Sequence, residues 1–458
     1  MGLPGLARDC TLWLDFQSAG FDDQALALFA AEADEFEALL ECQVRLGDRE
    51  NPKDGAWVVS PSGSGEPPSL SWDPGTLTLT SHASGPDQTM DSMQLLHALL
   101  RDPQDRPEFR APRTTREAAQ LIRDEVLGSY PYFELRGIDR DQWAGRHAQE
   151  APEDWDAFTT WAQEWVAQLG DAHTAVIARS QRGFNPCYVG SLGSDGIMLE
   201  AVPEASAAYA AGVRAGWLVT VEDPLQWLRT TGASPQQHAR VAARRALTVT
   251  DGQRQFTAHA PNTGQRVSWT EVAAPPSLET VLQVEDPTAD VVRVRLSAFY
   301  AGLGVEDVFD DLGRGAGPSQ VMELDLRGNT GGNLVLAAGL RDRFLREPTH
   351  VGSIAFSDGC GGLTTVRQRW AHPSDRPCWP GRLRILTDSM TYSAAEDFIL
   401  GLQGLEHVTV ARETTGGGSG RPLLRPLGPD LTLRVSTAIT YDRNGRPVEF
   451  LGITPDPH

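Results

Sequence analysis

The stretch Leu386-Thr387-Asp388-Ser389-Met390-Thr391-Tyr392-Ser393-Ala394-Ala395-Glu396 decides how this chain is read. A buried strand, Arg384 to Thr387, runs into a polar turn, and a helix from Ala394 to Leu402 follows. Ser393 stands where that helix begins. Free backbone N–H groups and the positive end of the helix dipole stabilise negative charge there, as a developing oxyanion requires. Ala394 and Ala395 are small enough to let a substrate backbone approach. The same letters also spell a capping box, Ser393 with Glu396, whose only task is to start a helix. Locally the nucleophile and the cap are both open readings, and they are compatible.

Upstream lies Glu323-Leu324-Asp325-Leu326-Arg327-Gly328-Asn329-Thr330-Gly331-Gly332-Asn333, again strand, glycine-rich turn and helix. Gly331 and Gly332 can turn their N–H groups outward toward an oxyanion, or simply make a tight turn. Neither GxxxxGK[ST] nor GxGxxG is present, so nothing here announces a nucleotide. Downstream come Arg412-Glu413-Thr414-Thr415-Gly416-Gly417-Gly418-Ser419-Gly420 and the tail Val448-Glu449-Phe450-Leu451-Gly452-Ile453-Thr454-Pro455-Asp456.

Around these turns the sequence from about 281 to 458 alternates strands (Val291 to Leu296, Val321 to Leu326, Val408 to Ala411, Leu431 to Val435) with helices such as Leu334 to Leu345. It reads as an α/β core with a site at strand ends. Before it, residues 183–275 read as short strands and turns, with Gly196 to Val202 and Gly212 to Leu218 extended and Ala205 to Ala211 a short helix. Residues 111–180 read as helical. Thr114-x-x-Glu117 caps a helix to about Leu127. A second helix, from Pro152, sets Trp155, Phe158, Ala162, Trp165 and Leu169 on one face and stops at Gly170, immediately before Asp171-Ala172-His173-Thr174. Residues 1–110 form a further unit, with a helix between Asp22 and Leu40, a strand near Leu77 to Thr80, and a linker from Arg101 to Pro112.

The four glycine- and serine-bearing segments, in this order, resemble the C-terminal processing (tail-specific) serine peptidases, whose relatives include the tricorn protease core and the interphotoreceptor retinoid-binding protein repeats. Tyr130-Pro131-Tyr132-Phe133, Gly137-Ile138-Asp139 and Leu169 to Thr174 resemble the helical region ahead of that core. The resemblance covers roughly residues 114–458 and implies a crotonase/Clp-peptidase-like α/β fold, a peptide or protein substrate and no cofactor. The order of elements over 183–275 resembles a PDZ domain, which takes a peptide C-terminus by strand addition. By this resemblance Ser393 matches the nucleophile, and the Gly331 or Gly332 amide with that of Ala394 matches the oxyanion donors. The tail-specific members carry their lysine base in the segment matching Glu413 to Gly420, where this chain has none. Gly418 stands near the expected position. The only lysine is Lys53, in the unmatched N-terminal unit. His173 matches the histidine of the tricorn-like branch, and an imidazole with a pKa of about 6.5 is a suitable base for a serine at neutral pH. Ala172 replaces the serine that flanks this histidine in the tricorn core. Glu449 matches the tricorn glutamate as the acid that orients the base; Asp171 is the nearer alternative. The retinoid-binding relatives imply a second possibility on the same fold, a binding protein for an apolar ligand or a peptide tail.

Composition limits the alternatives. With 458 residues the chain holds several domains. A formal net charge of −21 disfavours nucleic acid and anionic membranes; it suits a solvated acidic surface or a cationic substrate. No apolar run approaches the roughly 18 residues of a membrane span. The five scattered cysteines make neither a disulfide framework nor a zinc site, and the histidines show no ligand spacing, so no metal is expected. A start without a basic, apolar leader fits the cytoplasm.

Overall fold

The computed structural model describes residues 111–145, 150–178, 183, 188–204, 206–250 and 252–457. Of the first 110 residues it describes positions 37–38 and the strands Thr11–Asp15, Gln43–Leu46, Gly55–Pro61, Ser69–Asp73 and Thr78–Ala83. The helix expected between Asp22 and Leu40 falls almost wholly outside the described residues, and most of the expected linker does too. Chain contacts gather into two compact units. One comprises Met1–Asp154, Ile354–Arg367 and Arg421–Ile439; the other comprises Trp155–Ser353, Gln368–Gly420 and Thr440–His458.

In the first unit the five N-terminal strands form one mixed sheet. Strands 11–15, 43–46, 55–61 and 78–83 pair in parallel, and 69–73 is antiparallel at one edge. Helix Thr115–Ser129 starts on the expected capping box, Thr114 with Glu117. Its buried Glu125 forms an ion pair with Arg425 of the hairpin strand Leu423–Gly428 at 2.7 Å.

The second unit carries two cores. The larger is a five-stranded sheet in the order 282–285, 291–296, 321–325, 382–387, 408–412, antiparallel at the first pair and parallel thereafter. Parallel strands need crossovers, and the chain supplies Val305–Gly315, Leu334–Asp342 and Ala394–Leu400 as helices. Phe299, Phe344 and Phe398 are packed ring to ring and buried. Each contributes roughly 1.5–3 kcal/mol by leaving water. Because three neighbouring strands run in parallel, the loops after 325, 387 and 412 leave the same edge of the sheet. The site is built from these loops.

The smaller core belongs to residues 188–273. Five antiparallel strands, in the order 266–272, 253–259, 218–219, 196–201, 189–193, enclose Ile197, Leu199, Phe256 and Trp269 together with helix His238–Ala246. Two expectations change here. Gly212 to Leu218 is not a strand, because Gly212 and Gly216 adopt φ of +96° and +84° and turn the chain, leaving only Leu218–Val219 extended. Helix His238–Ala246 has no counterpart in the sequence reading. Its alanines, Ala242, Ala243 and Ala246, bury a narrow face set between arginines, so the segment as a whole has low mean hydropathy.

Candidate active site

His173 follows a helix that runs from Trp155 to Ala167 and buries Phe158, Ala162 and Trp165. Gly170, at φ +62°, reverses the chain at the helix end. Asp171 then organises the turn through its carboxylate. Oδ1 accepts the His173 N–H at 2.9 Å, and Oδ2 accepts the Thr174 hydroxyl at 2.6 Å. Asp171 therefore fixes the backbone of His173 through a local Asx-type bond.

Ser393 lies at the start of helix Ala394–Leu400 with φ +60° and ψ −126°, a conformation costly for a side chain with a Cβ. Such strain persists only where surrounding contacts impose it. Those contacts are visible. The Ser393 N–H donates to the Gly418 carbonyl at 2.9 Å and to Glu396 Oε2 at 3.2 Å. The expected capping box is present. Glu396 reaches back, while its own N–H donates to the Ser393 carbonyl at 2.8 Å. The Ser393 hydroxyl faces His173, with Nε2 and Oγ 3.0 Å apart. Residues 220 apart in sequence are thus in hydrogen-bond contact, with His173 only 2% exposed.

The glycine-rich loop meets the serine turn closely. The Asn329 carbonyl accepts from Tyr392 N at 2.9 Å, and Asp388 Oδ1 accepts from Gly328 N at 3.0 Å and from the amides of Met390 and Thr391. Gly331 N–H is committed to Asn329 Oδ1 at 2.8 Å. The Gly332 and Ala394 N–H groups, by contrast, donate to no acceptor among the described residues. Of the three amides that sequence matching offered as oxyanion donors, these two are open.

Two buried acids stand behind the site. Glu396 accepts from the Thr415 hydroxyl, from Gly417 N at 2.8 Å and from Gly418 N at 2.7 Å, in addition to Ser393. Burial pushes its carboxyl up to about 7 against the pull of those donors. The hydrogen bonds of Glu449 go to Ser419 N and Oγ, each at 3.2 Å, and to Thr440 N at 3.2 Å. Burial lifts it to about 8, with the Glu396 charge adding to the effect. A carboxyl whose folded pKa is raised holds its proton more tightly folded than unfolded. The contribution of Glu449 to stability is therefore expected to be full below pH 4.5, the ordinary value, and to be lost as pH rises toward 8. Thermal melts taken across this range should slope less in Glu449→Gln than in wild type. Parallel slopes would remove Glu449 from the account.

The third segment explains the missing lysine in steric terms. A Cβ on Gly418 would lie 2.0 Å from the Tyr392 hydroxyl oxygen and 2.1 Å from ring carbon Cζ. The same Tyr392 ring stacks on His173, with centroids 4.7 Å apart and planes inclined by 28°. An aromatic platform for the imidazole thus occupies the room that a side chain at position 418 would need.

Sequence reasoning singled out Ser393 and His173 as candidates but not Asp388, Asn329, Tyr392 or the several hydrogen bonds that converge on Glu396. Asn329-Thr330-Gly331 carries the pattern of an Asx turn, which could have flagged Asn329. The others depend on contacts between distant loops. Among the described residues no cluster of three metal-ligating side chains is present, and no helix is long and apolar enough to cross a membrane.

Comparison with known proteins agrees with this architecture. Residues 290–458 match the family described as peptidase family S41. No curated protein matches the chain. Among solved structures, mature CPAF superposes with a TM-score of 0.53 at 13% identity, covering 74% of this chain and 91% of that one. CPAF complexed with lactacystin gives 0.52 at 12% identity, covering 74% and 92%. The photosystem II D1 C-terminal processing protease gives 0.49 at 16% identity, covering 75% and 92%.

Proposed function

We propose that the chain is a serine peptidase acting on peptides or proteins through a Ser393–His173 dyad, a reading supported by the match of residues 290–458 to peptidase family S41. The observation that carries the proposal is the 3.0 Å approach of His173 Nε2 to Ser393 Oγ beside two open amides. His173 takes the hydroxyl proton as Oγ attacks the scissile carbonyl. The Gly332 and Ala394 N–H groups hold the tetrahedral oxyanion, and the protonated imidazole then delivers its proton to the leaving amine. Water, deprotonated by the same imidazole, resolves the acyl-enzyme.

The tail-processing reading draws on the insertion. Strand Val189–Gly193 is an edge of its antiparallel sheet and lies beside helix His238–Ala246, which is the arrangement a PDZ-like module uses to add an extended peptide as a further strand. In this proposal the module guides a substrate tail toward Ser393.

A fluorophosphonate probe tests the nucleophile directly. Wild-type protein is expected to be labelled at one serine, and Ser393→Ala to lose the label while keeping its thermal transition. Undiminished labelling of Ser393→Ala would assign the reactivity to another residue. No labelling of wild type, together with saturable binding of an apolar ligand or peptide, would favour the binding-protein reading.

A further inference from the structure

Beside the candidate site the second unit contains a groove whose lining includes Arg240, Arg244, Arg295 and Arg327 together with Gly328 and Met390. No aspartate or glutamate contributes to the wall. The sign of this charge opposes that of the chain, whose formal net charge is −21. Three separate elements bring it about. Arg240 and Arg244 are one turn apart on helix His238–Ala246 and so share a face. Arg295 lies near the end of strand Val291–Leu296, and Arg327 lies in the loop that leads to Gly331.

Three of these arginines have internal partners, and Arg295 is the exception. Arg327 grips Asp325 with two bonds, Nε to Oδ1 at 2.9 Å and a terminal nitrogen to Oδ2 at 2.7 Å. Arg240 is divided between the Ser389 hydroxyl and Glu200, each at 2.8 Å, with Glu413 at 3.7 Å. Arg244 donates to the Gly328 carbonyl at 3.1 Å. Arg295 lies opposite Asp325 in the strand register, but that carboxylate is already engaged by Arg327. Arg295 forms no hydrogen bond or ion pair among the described residues. A half-buried guanidinium in this state is a ready bidentate donor to a carboxylate.

The location defines the ligand. Gly328 is three residues from Gly331, and Met390 is three residues from Ser393. Since an extended chain advances about 3.3–3.6 Å per residue, the groove lies within reach of a substrate residue some three positions from the bond cleaved. We propose that this groove is a specificity subsite for an acidic side chain of the peptide substrate, held chiefly by Arg295 with Arg244 beside it. The position relative to the cut rests on the Ser393 reading; the preference for a carboxylate does not.

The test uses the full chain carrying Ser393→Ala, so that binding is measured without turnover. Fluorescent peptides of one sequence, with glutamate or glutamine at each position in turn, are titrated by anisotropy. At one position glutamate is expected to bind about tenfold more tightly than glutamine, as a charge-assisted bidentate bond warrants. Adding Arg295→Gln should remove that difference, and salt should shrink it. Equal binding of the glutamate and glutamine peptides at every position overturns the proposal, and so does a preference that survives Arg295→Gln. Affinity that is lost on amidating the peptide C-terminus but indifferent to side-chain charge also overturns it, since the occupant would then be the chain terminus. Fluorophosphonate labelling of wild type and of Arg295→Gln separates the two readings. Loss of label in wild type counts against the nucleophile alone, and label retained in Arg295→Gln shows that the variant is folded at the site.

Discussion

Peptide hydrolysis is expected to fall by about a thousandfold or more when His173 becomes alanine, with Ser393→Ala as severe and the double variant no worse. The equality follows from the pair acting as one unit. Without the imidazole the hydroxyl keeps its proton at neutral pH, and without the hydroxyl the imidazole has nothing to activate. What remains is stabilisation by the Gly332 and Ala394 amides, which neither substitution touches. A lysine added at position 418 is not expected to rescue His173→Ala. Its Cβ alone would stand 2.0 Å from the Tyr392 hydroxyl, so the side chain must displace the ring that stacks on position 173. Histidine with a tyrosine platform and lysine at 418 are therefore alternatives excluded from one another by volume. The measurement is kcat/KM on a fluorogenic peptide, with circular dichroism to confirm that each variant is folded. Activity of His173→Ala within tenfold of wild type would point to a different base.

How much of this site the sequence discloses depends on the range of the interaction. The strands at 291–296, 321–325 and 382–387 were legible because apolar runs between turn residues are local signals, and the capping box at Thr114 was legible because its two halves lie three residues apart. Ser393 was ambiguous for the same reason. Read locally, it is a cap, and nothing nearby says that its hydroxyl faces a histidine 220 residues away rather than an amide of its own helix. Resemblance of motif order supplied that link. Neither route discloses Tyr392 over Gly418, because a glycine that makes room for a ring looks the same in sequence as a glycine that makes a turn. The arginine groove is invisible in the same way. Its arginines come from a helix, a strand and a loop, and in the sequence they are scattered among an acidic majority. Helix His238–Ala246 was missed because its buried alanines alternate with arginines, which keeps its mean hydropathy low although its face is regular.

The oxyanion loop should be as sensitive as the dyad's surroundings suggest. Gly331→Ala is expected to lower kcat by about a hundredfold or more with a smaller change in KM. A Cβ at this position would lie 2.6 Å from Ser393 Cβ and 2.8 Å from both Ala394 N and the Tyr392 carbonyl oxygen. None of these can swing away as a flexible side chain would. Two belong to backbone, and the third belongs to a serine already held at φ +60° by Gly418 and Glu396. The methyl group must therefore force the loop and the nucleophile turn apart, and that separation moves the Gly332 and Ala394 amides out of common reach of one oxygen. Loss of a single oxyanion donor costs about 10²–10³ in rate, and it acts on the transition state more than on the bound substrate. Part of any effect will be backbone strain, because Gly331 sits at φ +96°. Gly445→Ala supplies the control: at φ +75° it carries comparable strain, but no atom lies within 4 Å of the added Cβ. It should lower the melting temperature and leave kcat near wild type. If Gly331→Ala also kept kcat within a few-fold of wild type, the amides beside Ser393 would not be the groups that stabilise the intermediate.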